Sequence, residues 1–262
     1  MPFDIDRFAH RESPIQRWDP RIKILSLGIF IFGIALLKTL PFAFAALGIA
    51  AICLCLSGLP ISFIAHGMRW VIMFLVPFII ILPLTFPGEE SFRVIGIPYS
   101  WGGMRLAILI FIKAIAIVST TYAIFGSARF DISMIAIQHL KCPKIIIQMI
   151  LFTYRFVFLF LDEMKRMVTA MRARGFIMKM DLNTLRIIGN FVGTLLVRSF
   201  ERATRVYNAM LSKGYKGEFH TLESFEVRRK DFIKAAMVLV ATFALLVGDI
   251  CGPFSPAIER WF

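Results

Sequence analysis

Acidic residues are scarce in this chain. Against 30 Lys and Arg stand 17 Asp and Glu over 262 residues, which leaves a net charge of +13. Cysteine is scarcer still: Cys53, Cys55, Cys142 and Cys251 lie in or beside apolar segments with no CxxC pair. That excludes a disulfide framework and a paired-cysteine zinc site, and reads as small core residues. The histidines His10, His66, His139 and His220 are scattered, and His139-x-x-Cys142 has no second pair to close a metal site. There is no GxxxxGK[ST] run and no dinucleotide glycine pattern, so no nucleotide site, cofactor or catalytic residue is expected in the chain itself. Asp4, Asp6, Arg7, Arg11, Glu12, Arg17, Asp19 and Arg21 leave no early apolar run for a secretory signal.

What the chain has is apolar sequence. A hydrophobic content of 58% and a mean hydropathy of +0.74 place it among membrane proteins. The expected fold is all-α and polytopic. Five spans are read at Ile22 to Leu37, Phe42 to Leu56, Trp70 to Phe86, Leu106 to Phe125 and Phe232 to Val247. The first two are near the lower limit of about 17 residues for crossing hydrocarbon. Pro77 and Pro83 fall inside the third, where neighbouring helices can satisfy the freed carbonyls. Residues 87 to 103 read as a loop with turn chemistry and the acidic pair Glu89-Glu90. Lys113 is the one basic residue near mid-span, a position better suited to a structural pairing than to chemistry.

Residues 126–231 have a different character and read as a cytoplasmic helical domain, between a region of residues 1–125 and a last span with a short tail at 232–262. A short amphipathic helix, Asp131 to Leu140, stops before Pro143. Long helices then run from Lys144 to Arg174 and from Thr184 to Lys213, each starting apolar and ending basic. Residues 145–161 have the apolarity of a span, interrupted by Gln148 and Arg155. With the N-terminus in the cytoplasm and five spans, the inside segments hold five Lys/Arg in residues 1–23, Arg69, and nineteen between residues 126 and 234, against four outside. Sending the long helices across as well would export much of that charge. The positive-inside bias therefore favours five spans in the cell (inner/cytoplasmic) membrane, surrounded by its lipids.

Within this domain one stretch occurs twice. Residues 162–176 and 201–215 align on a constant offset of 39 with identities at Arg166/Arg205, Ala170/Ala209, Met171/Met210 and Gly175/Gly214. Asp162/Glu201, Ala173/Ser212, Arg174/Lys213 and Phe176/Tyr215 keep their chemistry. A helix ending basic-Gly is ordinary, since glycine adopts the left-handed turn freely and a cation meets the negative end of the helix dipole. Two such ends in register imply a partner with two equivalent receptor sites. Arg166, Ala170 and Arg174 share one helix face, as do Arg205, Ala209 and Lys213.

Trp-Asp-Pro-Arg-Ile-Lys (residues 18–23), the helix through Tyr154-Arg155-Phe156 to Ala173-Arg174-Gly175, and the second ending at Ala209-Met210-Leu211-Ser212-Lys213-Gly214-Tyr215 resemble the transmembrane coupling (T) component of energy-coupling factor importers. The resemblance covers nearly the whole chain. The lead-in at residues 4–14 looks like the cobalt-type branch. The resemblance implies a scaffold joining a small integral substrate-capturing (S) subunit, of cobalt or nickel type, to two ABC-type ATPase subunits. ATP hydrolysis then belongs to the partners. It further implies that two cytoplasmic helices cross and that their ends, here Ala173-Arg174-Gly175 and Ser212-Lys213-Gly214, enter a groove on each ATPase. Lysine at 213 is a departure, because it carries the charge without the planar fork of arginine. The Phe-rich helix starts (Phe152, Phe156, Phe158, Phe160, Phe191) are then expected against the S subunit. Other readings are a shared T component for several vitamin-capturing subunits and, in another class, a membrane-tethered nucleic-acid binder. Against the latter, the basic residues are interleaved with Asp162, Glu163, Glu201, Glu218, Glu223 and Glu226, and no nucleic-acid partner is expected.

Overall fold

A computed structural model describes residues 15–16, 18–85, 91–94, 97–140, 142–217 and 229–251. The lead-in at 4–14, His10, His220, Glu89-Glu90 and the tail after the last helix lie outside the described residues. Among the described residues eight helices carry the fold: α1 (Pro20–Leu36), α2 (Leu40–Leu56), α3 (Ile61–Thr85), α4 (Trp101–Phe125), α5 (Phe130–His139), α6 (Lys144–Ala173), α7 (Leu182–Ser212) and α8 (Arg229–Cys251). Between α3 and α4, β1 (Ser91–Val94) and β2 (Ile97–Ser100) pair antiparallel, with Ser91 opposite Ser100. Within the segment expected to be a loop, the described residues therefore pair as two short strands and then enter the first turn of α4, which Ser100 caps through its side chain. The third helix begins at Ile61, well before Trp70, because Pro60 pre-sets the geometry that a helix start needs and its carbonyl receives the first helical hydrogen bonds.

The chain forms two compact units. One comprises residues 1–140 and 225–262, the other Lys141–Ser224. The second starts after α5, which packs on α1 and belongs with the first unit.

In the first unit α1 opens with Asp19 as its cap, accepting a hydrogen bond from the Arg21 amide at 2.9 Å, and with Pro20 at the first helical position. Trp18 is buried against Leu27, Ile124 and Ala235, drawing the start of α1, the end of α4 and the start of α8 together. Lys23 is buried and donates from Nζ to Ser127 Oγ at 3.0 Å. At the opposite end Asp249 of α8 accepts from the backbone amides of Lys38 (2.8 Å) and Thr39 (3.0 Å) and from the Thr39 hydroxyl. This carboxylate caps the start of α2 from another helix, where the helix dipole favours negative charge. Lys113 Nζ donates to the Ala35 carbonyl in the last turn of α1 at 3.0 Å. The mid-span lysine is thus a structural pairing, with Asp249 in electrostatic reach.

Between these ends Phe30, Ile34 and Leu37 of α1, Ala46 and Ala50 of α2 and Ala116 of α4 form the core. Alanines at 43, 46 and 50 let α2 approach closely, as small residues do in membrane bundles. Gly103 is required for a similar reason: a Cβ there would sit 2.6 Å from Pro83 Cα on α3. The outer surface is apolar too, with Trp70, Phe74 and Ile81 of α3 and Val240 and Phe243 of α8 exposed. Cys55 and Cys251 share that exposure and Cys142 is exposed as well, so only Cys53 is partly in the core that all four were expected to join.

Four described helices, α3, α4, α6 and α8, are long and apolar enough to cross a membrane, and α2 is a shorter apolar helix. The molecule is a polytopic helical membrane protein, as its composition requires. Asp249→Ala leaves two backbone donors of the α1–α2 turn without their carboxylate, and is expected to cost about 3 kcal/mol. The expected readout is a lower melting temperature of the detergent-purified protein, against little change for the exposed Phe243→Leu.

Candidate functional site

The repeated stretch lies in the second unit, where α6 and α7 are each about 45 Å long by the rise of an α-helix. Both end in the same backbone device. Arg174 and Lys213 are the cap residues, with φ and ψ of −85° and 12° and of −89° and 8°. Gly175 and Gly214 follow with φ of +80° and +84°. The amide of Phe176 then bonds to the Met171 carbonyl at 3.1 Å, and that of Tyr215 to the Met210 carbonyl at 3.0 Å. The amides of Gly175 and Gly214 reach the carbonyls of Arg172 (3.0 Å) and Leu211 (2.9 Å). This is the Schellman turn, completed twice.

The turn accounts for part of the repeat. Glycine supplies the positive φ, and the aromatic after it takes the position that pairs with the methionine five residues earlier. Nothing lies within 4 Å of a Cβ built at either glycine, so backbone conformation alone explains them. Arg166/Arg205, Ala170/Ala209, Ala173/Ser212 and the basic character of 174 and 213 are not needed for the turn. All of these side chains are exposed. Each end therefore presents a basic residue, a small residue before it and an open glycine turn after it.

The two ends point apart. Tyr215 OH lies 3.3 Å from Gln148 Oε1, placing the end of α7 beside the start of α6. Further along, Arg198 donates to Glu163 in an ion pair between the two helices. The helices are antiparallel, and the run from Gln148 to Arg174 separates the two basic ends by about 40 Å. Between the helices a cleft of about 280 Å³ is lined by Phe152, Phe156 and Phe160 of α6 and by Arg202, Val206 and Met210 of α7. Three of the phenylalanines expected to meet a partner thus face α7. Phe158 packs edge to face with Tyr154 at 5.4 Å, and Phe191 is half-buried. The Tyr215–Gln148 contact and the inter-helix ion pair were not legible in the sequence, since neither spacing nor charge order pairs residues 67 or 35 positions apart.

The family profile of the cobalt transport protein CbiQ matches residues 11–222, which include α1 to α7 and both basic ends. The chain belongs to that family. It is a transmembrane (T) component of the energy-coupling factor type, on the CbiQ-like branch, and a multi-pass membrane protein. It is 26% identical to an uncharacterized protein of Methanocaldococcus jannaschii over 93% of this chain and 86% of that one. It is also 26% identical to the energy-coupling factor transporter transmembrane protein EcfT of Bacillus selenitireducens, over 81% of this chain and 84% of the relative. The cobalt transport protein CbiQ of Rhodobacter capsulatus is 33% identical over 32% of this chain and 34% of its own length. The named relatives are membrane components of transporters rather than enzymes.

For this CbiQ-family chain the two glycines carry a test with an internal control. Gly175→Ala and Gly214→Ala place a Cβ at positive φ and are each expected to destabilise their helix end by about 1 kcal/mol. Gly193→Ala, in the ordinary helical backbone of α7, is expected to stabilise the helix by a similar amount. Hydrogen exchange of residues 170–176 and 209–215 reads the difference as faster exchange in the first two variants and slower exchange of α7 in the third.

Proposed function

We propose that this protein couples the ATP-driven closure of two ABC-type ATPase subunits to a small integral S subunit that captures cobalt or nickel. T components act with ATPase and S subunits in general; the pair of ATPases and the metal are the finer part of this reading. The observation that carries it is the pair of matching basic helix ends, exposed and about 40 Å apart on one antiparallel hairpin. One end suits one groove. Two alike ends facing apart suit two copies of a groove on two subunits, and a hairpin tied by the Glu163–Arg198 pair can carry their displacement as one body.

In this reading Arg174 and Lys213 meet acidic groups on the ATPases, with Ala173, Gly175, Ser212 and Gly214 giving the close approach. Arg166, Ala170, Arg205 and Ala209 continue the same exposed faces one and two turns back. Residues 126–231 then act as the cytoplasmic coupling segment, with residues 1–125 and 232–262 in the membrane and the N-terminus inside, as the Lys/Arg distribution favours. One observation favours the alternative of a shared T component for several vitamin-capturing subunits. The EcfT relatives align over most of this chain, whereas the Rhodobacter CbiQ aligns over a third of it. Co-purification with mass spectrometry and metal analysis separates the two: a single metal-containing S subunit fits the first, and varied vitamin-bound subunits the second.

Arg174→Glu combined with Lys213→Glu is expected to weaken ATPase retention by thirtyfold or more, the effect of about 2 kcal/mol or more at a buried charge pair, and to abolish radioactive cobalt uptake in cells. Lys213→Arg is expected to retain both. Full retention and uptake in the double variant would remove the helix ends from the coupling path.

A further inference from the structure

The connector from α6 to α7 and the first turn of α7 place four large apolar side chains in solvent within six residues. Ile177 is 69% exposed, Met178 77%, Met180 fully and Leu182 81%, and Leu185 continues the row one turn into α7 at 66%. The surrounding charge is of one sign: Arg172, Arg174, Lys179 and Arg186 flank the row, and Asp181 is the single acid between them. Side chains of this size are not left in water without a cost of about 1.5–3 kcal/mol each relative to burial.

We infer that this connector is an interfacial anchor whose occupant is the anionic surface of the lipid bilayer. Its apolar residues enter the acyl boundary, and Lys179 and Arg186 pair with acidic headgroups. Three observations select lipid. The chain belongs to a polytopic membrane protein. The basic flanks are the complement of anionic headgroups, which attract Lys and Arg near the surface and lose that attraction in salt. The row also continues along α7 through Val192, Leu196 and Phe200, all exposed and on one face with Leu182 and Leu185, while Arg198, Glu201, Arg202 and Arg205 occupy the other side. A long helix with an apolar stripe, a charged opposite face and low overall hydrophobicity is the pattern of helices that lie in the plane of a membrane.

The inference does not rest on ATPase docking, and its test omits the ATPases. The full chain is placed in nanodiscs of phosphatidylcholine alone or with phosphatidylglycerol, and hydrogen exchange is followed over residues 176–186. Exchange is expected to slow by roughly tenfold or more with phosphatidylglycerol, to recover in high salt, and to lose its lipid dependence in Lys179→Glu/Arg186→Glu. Ile177→Ser/Met178→Ser/Met180→Ser, which changes only exposed positions, is expected to exchange rapidly in both lipids. Equal exchange in the two nanodiscs, or slowing that survives both variants, would overturn the anchor. Slowing that arises only when ATPase subunits are added would also overturn it and assign the row to them.

Discussion

The first unit depends on polar clamps at its two ends. Its outer face is as apolar as its core, so the hydrophobic effect does not select which side of a helix turns inward once the helices are in hydrocarbon. Asp249 selects it at one end by holding the Lys38 and Thr39 amides, and Trp18 with Lys23 does so at the other. These contacts fix α1 and α8 parallel, with α4 running back between their ends. The alanines of α2 and the bare Cα of Gly103 then close the distances.

The second unit is built on the opposite principle. Its helices are long, touch sparingly and leave most of their surface open. Among the described residues, the Glu163–Arg198 ion pair, the Tyr215–Gln148 contact and a phenylalanine-lined cleft join α6 and α7. The tips are closed by Schellman turns that use only backbone groups, which leaves the Arg174 and Lys213 side chains exposed.

Much of this was legible in the residues. Apolar run lengths and helix breakers located seven of the eight helices to within a few residues, and the positive φ at Gly175 and Gly214 follows from the basic-Gly-aromatic pattern alone. The Trp-Asp-Pro-Arg-Ile-Lys segment was recognisable as a motif before its parts had roles: a packed indole, a helix cap, a first-turn proline and a buried ammonium. The nine-residue error at the start of α3 arose because Ile61 to Arg69 is less uniformly apolar than the segment that follows, and hydropathy weighs composition where the backbone obeys Pro60. Cysteine placement failed because the inside-outside rule of soluble proteins loses its force when the outside is also apolar.

The sequence by itself determined that the chain is a helical membrane protein, that its charge gathers in one segment, and that two helices end alike. Those properties follow from local chemistry: transfer to hydrocarbon, the dipole of a helix and the steric freedom of glycine. Only the tertiary structure decided that the two ends face apart on an antiparallel hairpin, that Asp249 caps a helix 210 residues away in the chain, and that Lys113 closes the end of α1. Each of these depends on which side chains meet across space. Periodicity gives a residue a face but not a neighbour.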